Sequence, residues 1–242
     1  MATQHIMPEA DVSEGVLLSV IVPLAPGETE AEVLLEQLTA LPVGSELIVV
    51  RAEDQPESRP ANWPAKLAYR EYTNAAGRAR QLNLGARVAR GYWLWFLHAD
   101  SRLLEATLPA LQGFITGPDE ALGWFDLQFR HDGPRLVVLN AMGANLRAHW
   151  LGMPFGDQGL VLPKSRFETI GGFDEDAAYG EDHLLVWAAR RSGLPLRPVG
   201  APLQTSARKY TRRGWLATTV THWCLTVAQA WPEWRRNRRT PS

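Results

Sequence analysis

The 242-residue sequence has one cysteine, no long hydrophobic run and almost no net charge, and each of these absences excludes a class of protein. A single cysteine excludes a disulfide framework and a zinc site built from thiolates, because each needs several cysteines. No stretch reaches the roughly 18 apolar residues of a membrane-spanning helix. The N-terminus lacks the basic start and apolar run of a signal peptide, and one thiol suits a reducing compartment, so we expect a cytoplasmic protein.

The net charge of −1 leaves no overall electrostatic field for a polyanion, so we expect no nucleic-acid partner. Apolar residues make up 45% of the chain and charged residues 21%, close to the averages for soluble globular proteins. This composition excludes a disordered chain, which needs low hydrophobicity and high net charge. The length fits one large α/β domain over residues 1–242.

Apolar runs alternate with helical patterns through the first 116 residues. Continuous runs at 16–23, 46–51 and 92–98 predict buried parallel strands, and a shorter strand is predicted at 66–70. Between them, leucine and alanine recur at helical spacing over 30–41 and 75–90. The alternation predicts a Rossmann-like, mostly parallel sheet with flanking helices.

The second half of the sequence is less regular. We predict a strand at 122–130 and a helix at 134–151. A tight turn at 156–159 leads into a strand at 160–162. A helix at 181–192 begins with two acids, which suit the positive end of a helix dipole.

His98 and Asp100 directly follow the strongest predicted strand. In an open parallel sheet, ligands bind beyond the carboxyl ends of the strands, so these side chains face the expected crevice. A carboxylate there can hold a hard divalent cation, which prefers oxygen ligands and is often shared with substrate phosphates. The alternative is that Asp100 caps a helix that begins near residue 103.

Arg78 and Arg80 lie at the start of a predicted helix, after Gly77. The free N–H groups and the dipole of a helix N-terminus attract anions, so the two arginines are candidates to bind a diphosphate. The alternative is a solvated helix face on which the arginines only add charge.

Two further polar clusters are Gly-Asp-Gln-Gly at 156–159 and the acids Glu181 and Asp182. Glycines that flank an acid indicate a close approach of the backbone to a ligand, which makes Asp157 and Gln158 candidates for binding. For Glu181 and Asp182 the alternative is helix capping.

Taken in order, these motifs resemble the family 2 glycosyltransferases, and more narrowly the bacterial "transferase 2, rSAM/selenodomain-associated" subfamily. The resemblance covers residues 16 to about 225, and the order and spacing of the motifs make it specific. The motifs are a first strand that ends in Val-Pro at Pro23, Gly-Arg-Ala-x-Gln-x-Asn-x-Gly-Ala at 77–86, Phe-Leu-His-Ala-Asp at 96–100, Gly-Asp-Gln-Gly, Gly-Gly-Phe at 171–173, Glu-Asp at 181–182 and Ser-Ala-Arg at 206–208.

The resemblance implies a GT-A fold and transfer of a sugar, with inversion, from a nucleotide-diphosphate donor to a hydroxyl acceptor. Asp100 matches the last residue of the family's metal-binding Asp-x-Asp, with His98 at its first position, so the cofactor is expected to be Mg²⁺ or Mn²⁺. Asp182 matches the catalytic base. The donor-side candidates are Pro23, Glu28, Arg78, Arg80, Asn83, His98 and Asp100, and the acceptor-side candidates are Asp157, Gln158 and Glu181. We expect a nucleotide-binding half at 15–116 and an acceptor half at 117–207.

The sequence departs from the family pattern at the expected nucleoside contacts. The usual Asn-Glu after Val-Pro is missing from 23–28, and Arg51 stands where an Asp is usual, although Glu28, Glu53 or Asp54 are candidates to replace them. These departures favour a second function, a degenerate non-catalytic module that binds nucleotide sugars. A third, a sugar nucleotidyltransferase, needs a basic, glycine-rich loop after the first strand, and the sequence has no basic residue there.

Residues 208–242 form a tail with eight basic residues and one acid, which indicates a local anionic partner. Its hydrophobic residues recur at helical spacing, which predicts an amphipathic helix from Trp215 to Trp234 that is too polar to span a membrane. The apolar face either docks on the protein's own core or, together with the arginines at 235–239, contacts the inner face of the membrane. That face comprises Leu216, Val220, Trp223, Val227 and Trp231.

Overall fold

The computed structural model describes residues 16–52 and 59–237, so the N-terminal arm, Glu53, Asp54 and the last five residues of the tail lie outside the described residues. The strands are β1 (Leu18–Leu24), β2 (Ser45–Ala52), β3 (Ala68–Asn74), β4 (Trp93–Phe96), β5 (Arg102–Leu103), β6 (Leu122–Phe129), β7 (Val161–Pro163) and β8 (Leu196–Thr205). They form one eight-stranded sheet in the order β3-β2-β1-β4-β7-β6-β8-β5.

The sheet is mostly parallel, as the sequence predicted. β1 lies between β2 and β4 and is parallel to both, with Val20 opposite Leu47 on one side and Trp95 on the other. β2 is parallel to β3, and β6 is parallel to β8. β7 pairs antiparallel with both β4 and β6, and β5 pairs antiparallel with β8. One sheet therefore runs through both predicted halves of the chain.

The helices flank this sheet. They are α1 (Ala31–Gln37), which continues into a 3₁₀ turn, α2 (Arg78–Val88), α3 (Thr107–Ile115), α4 (Val137–Leu151), α5 (Lys164–Thr169), α6 (Glu181–Arg191), α7 (Arg208–Arg213) and α8 (Trp215–Asn237). A 3₁₀ turn at Gly156–Gln158 stands between α4 and β7.

Two hydrophobic clusters lie on opposite faces of the sheet because successive side chains of a strand point to opposite sides. One cluster joins Val20 and Trp95 to leucines of α1 and α3. The other joins Ile21 and Phe96 to apolar residues of α2 and α6. Each fully buried aliphatic side chain contributes roughly 1.5–3 kcal/mol, so the continuous apolar strands account for the core of the fold.

The structure corrects two expectations. The third strand runs from 68 to 74 rather than from 66 to 70. No helix begins near residue 103, because residues 102–103 form β5 and α3 begins only at Thr107, so Asp100 is not a helix cap.

β5, β8, α5 and α7 were not predicted from the sequence. β8 contains Pro198, Gly200 and Pro202, residues that normally interrupt a strand. It pairs with β6 through a shift in register between Trp124 and Asp126, which accommodates the irregular sequence.

Candidate active site

Arg78 brings together side chains from three elements at the carboxyl edge of the sheet. Its Nε donates to Glu181 Oε1 at 2.5 Å, and its Nη2 donates to Asp182 Oδ2 at 3.2 Å. Its Nη1 lies 3.1 Å from Nε2 of His98, which follows β4. We call these four residues the Asp182 cluster. Burial opposes the positive charge of Arg78, but the two carboxylates outweigh it and raise the pKa of the guanidinium.

Asp182 is a buried carboxylate in the first turn of α6. Its Oδ2 accepts the N–H of Gly156 at 2.5 Å, and its Oδ1 accepts the N–H of His183 at 2.8 Å. Burial opposes ionisation, but the Arg78 charge and the two N–H groups hold the pKa of Asp182 below its ordinary value. The carboxylate of Asp182 is therefore ionised at neutral pH.

Gly156 is required by the close approach of its backbone to the Asp182 cluster. A Cβ at this position would lie 2.6 Å from Asp182 Oδ2 and 3.0 Å from His98 Nε2. Only glycine avoids this contact, which explains why a glycine begins the Gly-Asp-Gln-Gly turn.

Asp100 and Asp157 are two further acids beside this cluster, and Asp157 keeps an oxygen atom without a partner among the described residues. Oδ2 of Asp100 accepts a bond from Thr205 Oγ1 at 3.2 Å. Burial raises the pKa of Asp100 and outweighs the hydrogen bonds from Thr205 and the Ser206 backbone, which lower it. Oδ1 of Asp157 is buried and has no hydrogen-bond partner among the described residues. Two carboxylates, one of them with an unpaired oxygen, fit part of the coordination shell of Mg²⁺ or Mn²⁺.

Within residues 16–52 and 59–237, no group of three or more acidic, histidine or cysteine side chains is arranged to hold a metal. A cation at Asp100 and Asp157 would therefore need further ligands from water or from a bound phosphate, as is common for Mg²⁺.

His98 is neutral at physiological pH. Burial lowers the pKa of its imidazole to about 3, and the adjacent Arg78 charge acts in the same direction. The guanidinium of Arg78 can only donate, so Nε2 of His98 accepts that hydrogen bond. His98 therefore adds no charge to the site.

The structure places two further basic residues near the site, Lys209 of the basic tail and Arg147, which no motif indicated. Lys209 on α7 is exposed, and its charge lowers the pKa of both His98 and Asp100, so it lies near the proposed cation position. Arg147 of α4 stacks over the ring of Phe155, 3.6 Å from its centroid, and its Nε donates to the carbonyl of Met153. Arg147 is the one arginine of α4, and no motif marks it.

Asn83 and Gln158 use their amides inside the protein. Asn83 bonds both the N–H and the carbonyl of Phe173, which fixes the Gly-Gly-Phe loop. Gln158 accepts the N–H of Phe155 and donates to the carbonyl of Phe125. Both side chains thus position loops of the site, and ligand contact by either one stays a prediction.

The contacts recorded for the remaining donor-side candidates are with residues outside the Asp182 cluster. Pro23 is buried within β1, where it pairs with Val50. Arg80 is half-exposed, and its Nε lies 3.8 Å from Glu175. Glu28 lies in the loop after β1, where its Oε1 accepts the N–H of Glu30.

Glu30 forms a second ion cluster that the sequence did not predict. Its Oε2 accepts bonds from Arg130 at 2.8 Å and Arg102 at 3.1 Å, and its Oε1 accepts one from Arg208 at 2.9 Å. We call these residues the Glu30 cluster. The hydrogen bond from Arg130 is the main cause that lowers the pKa of Glu30. Arg208 of the Ser-Ala-Arg motif therefore forms an ion pair with Glu30.

Arg51, at the position where family members carry an Asp, is tied into the sheet. Its Nε lies 2.7 Å from Oε1 of Glu71, on the adjacent strand β3. The side chain that replaces the usual acid therefore holds two strands together.

Several solved structures share this fold at low sequence identity. A mannosyltransferase from Pyrobaculum calidifontis, solved with GDP-Man and Mn²⁺, has a TM-score of 0.63 and 17% identity over 91% of this chain. S. aureus TarS has a TM-score of 0.60 and 16% identity over 79% of this chain. The chain spans 65% of the mannosyltransferase and 37% of TarS. A shorter form of TarS, solved with UDP-GlcNAc, matches with the same TM-score and identity over 78% of this chain and 58% of its own.

These similarities establish the GT-A type of α/β fold predicted from the sequence. Among curated protein sequences, none matches this chain. The family model described as glycosyl transferase family 2 matches residues 52–173, which is half of the chain and includes Arg78, Asp100 and Asp157. The chain belongs to glycosyl transferase family 2.

Proposed function

We propose that the protein transfers a sugar from a nucleotide-diphosphate donor to a hydroxyl acceptor, with inversion and with Mg²⁺ or Mn²⁺ as cofactor. Family membership supports the reaction class. The observation that carries the proposal is the ionised Asp182, held between Arg78 and the Gly156 N–H beside two further acids. The His-Ala-Asp form of the metal motif supports placement in the rSAM/selenodomain-associated subfamily.

Asp182 acts as the general base. Its low pKa makes it a weak base towards an alcohol, so it accepts the proton only as the new glycosidic bond forms. Arg78 and the Gly156 N–H fix the carboxylate, which keeps one oxygen from rotating away from the acceptor. Positioned general bases of this kind contribute about 10²–10⁴ in rate.

The leaving diphosphate is stabilised by positive charge at the same edge of the sheet. Lys209 is exposed and its charge acts on both Asp100 and His98, whereas the guanidinium of Arg78 is already bonded to two carboxylates. We therefore assign the direct phosphate contact to Lys209 and the positioning of Asp182 to Arg78. A divalent cation held by Asp100 and Asp157 would neutralise the charge that develops on the diphosphate.

A non-catalytic nucleotide-sugar-binding module is the second candidate. The ion pair between Arg51 and Glu71 favours it, because Arg51 replaces the acid expected to contact the nucleoside. Such a module would bind a nucleotide and show no turnover.

A screen of UDP-, GDP- and dTDP-sugars separates the two functions. Donor hydrolysis is measured with Mg²⁺ and with Mn²⁺, and calorimetry measures binding of the free nucleotides. Metal-dependent turnover with any donor supports the transferase. Binding without turnover supports the module, and the absence of both in the whole panel contradicts both proposals.

A further inference from the structure

Helix α8 presents its apolar side to solvent and its polar side to the protein. Thr218 and Glu233 are buried, whereas Leu216, Val220 and Trp231 are 66%, 52% and 53% exposed. Val227 is exposed as well, so the expectation that this apolar face docks on the protein's own core is wrong for these residues, and the side chain of Trp223 lies outside the described ones. Surface helices normally place the apolar stripe against the core.

The polar contacts of α8 explain this orientation. Thr219 accepts a hydrogen bond from Asn140 of α4 at 3.0 Å, and the Trp215 indole donates to the same Asn140 at 2.7 Å. Near the other end, Glu233 forms an ion pair with Arg191 of α6. These bonds hold the polar side of α8 inward, so the apolar side is left outward.

Helix α4, which these bonds place beside α8, shows the same feature. Its inward side is built from Val137, Ala141, Ala144 and Ala148, which are buried. Its outward side carries larger residues at helical spacing, among them Met142 at 63% exposure and Trp150 at 82%. Small residues thus face the sheet while large apolar residues face solvent.

Together the two helices hold most of the exposed large hydrophobic side chains among the described residues. Of seventeen large hydrophobic side chains that are exposed there, eleven belong to α4 and α8. A concentration of this kind marks an interaction surface, whereas single exposed apolar residues are ordinary. We call it the α4–α8 surface, and it comprises Val138, Leu139, Met142, Leu146, Trp150, Leu151, Leu216, Val220, Leu225, Val227 and Trp231.

The charges around the α4–α8 surface are basic. Arg135 before α4, Arg212 on α7 and Arg235 near the end of α8 are exposed. Neither helix carries an acid other than the ion-paired Glu233. The guanidinium of Arg235 lies 4.7 Å from the centroid of the Trp231 ring, which joins an aromatic and a basic residue at one margin.

We propose that the α4–α8 surface docks the protein on an anionic phospholipid bilayer. Aliphatic residues with tryptophan on one face and arginine at the margin are typical of helices that lie in a membrane interface. A second copy of the chain fits less well, because a symmetric contact between two such surfaces would bring their basic margins together. In the described segments no helix combines the length and apolarity needed to cross a bilayer, so the contact is peripheral.

The docking surface lies close to the candidate active site along the chain. α4 ends at Leu151, and a short loop leads from it to Gly156, whose N–H is bonded to Asp182. The proposal does not depend on sugar transfer, since it rests on the surface alone.

Vesicle co-sedimentation of the full chain tests the proposal. We expect binding to vesicles of equal parts phosphatidylcholine and phosphatidylglycerol at low salt, and little binding to phosphatidylcholine alone. High salt should weaken the binding, because exposed charges are screened. Absence of binding to the anionic vesicles at low salt overturns the proposal.

Two sets of substitutions localise the contact. The triple variant Met142→Ser, Leu146→Ser, Trp150→Ser should weaken vesicle binding by roughly tenfold or more. Arg212→Glu with Arg235→Glu should lower binding to anionic vesicles specifically. Val43→Ser is the matched control, because Val43 is 76% exposed but lies outside the surface.

The remaining outcomes are also decisive. Equal binding by the triple variant and the Val43→Ser control overturns the proposal, provided that thermal unfolding shows both variants folded. Light scattering provides a further test. If the native chain is a dimer that does not bind vesicles, and the triple variant is a monomer, the surface binds a second copy and the membrane contact is overturned.

Discussion

The two ion clusters at the carboxyl edge of the sheet are built in opposite ways. In the Asp182 cluster one arginine is shared by two carboxylates, and in the Glu30 cluster one carboxylate is shared by three arginines. The Asp182 cluster therefore has an excess of negative charge next to His98. The Glu30 cluster has an excess of positive charge, which is partly offset by Asp132 at 3.5 Å from Arg130. A proton acceptor needs the former, whereas the latter ties the loop after β1 to the ends of β6 and β8.

The largest effect should follow loss of the negative charge at Asp182. We expect Asp182→Asn to lower kcat by about 10²–10⁴ while nucleotide affinity changes only a few-fold, because the amide cannot accept the proton. Glu181→Gln is the matched control and should be milder, because Glu181 shares Arg78 with Asp182 but does not accept the N–H of Gly156. The measurements are kcat and nucleotide-sugar Kd. Normal turnover by Asp182→Asn would show that another residue is the general base, and Asp157 would be the next candidate.

Asp100→Ala should remove the metal dependence of nucleotide binding. The loss of one buried carboxylate leaves Asp157 as the remaining cation ligand, so we expect an affinity loss of at least about tenfold in Mn²⁺. Calorimetry with and without EDTA measures it. Affinity and EDTA sensitivity equal to those of the native protein would show that Asp100 holds no cation.

Gly156→Ala should disrupt the Asp182 cluster by a steric clash, without changing its charge. Its Cβ would lie 2.6 Å from Asp182 Oδ2, so we expect a loss of about 1–3 kcal/mol in the free energy of unfolding, together with a loss of turnover. Gly113→Ala is the control, because nothing lies within 4 Å of the added Cβ on α3. Denaturant unfolding of both variants checks the prediction, and equal stability would contradict the close packing at Gly156.

The difference between the clusters also explains what the sequence could predict. Asp100 follows a strong strand, and Asp182 lies in the first turn of a helix. Each belongs to a short motif, so the local sequence identifies both. The partners of Glu30 lie 72, 100 and 178 residues away, and only the folded chain brings them together. Periodicity likewise predicted α8 as a helix but not which face it presents, because the polar bonds to Asn140 and Arg191 that orient it are long-range.

The smallest effect on activity should follow from Glu30→Gln, which changes the cluster that we place outside the chemistry. The amide keeps some hydrogen bonds but loses the charge, so we expect about 1 kcal/mol lower stability with kcat nearly unchanged. The pKa of Glu30 is depressed below its ordinary 4.5, so the native cluster stabilises the protein above that pH and loses this contribution as the pH falls through the folded pKa. Below about pH 4.5, the free energy of unfolding of Glu30→Gln should therefore decrease less steeply with falling pH than that of the native chain. Denaturant midpoints at several pH values measure this, with Glu28→Gln as control, and an equally steep acid dependence in Glu30→Gln would show that the three arginines do not depend on the Glu30 charge.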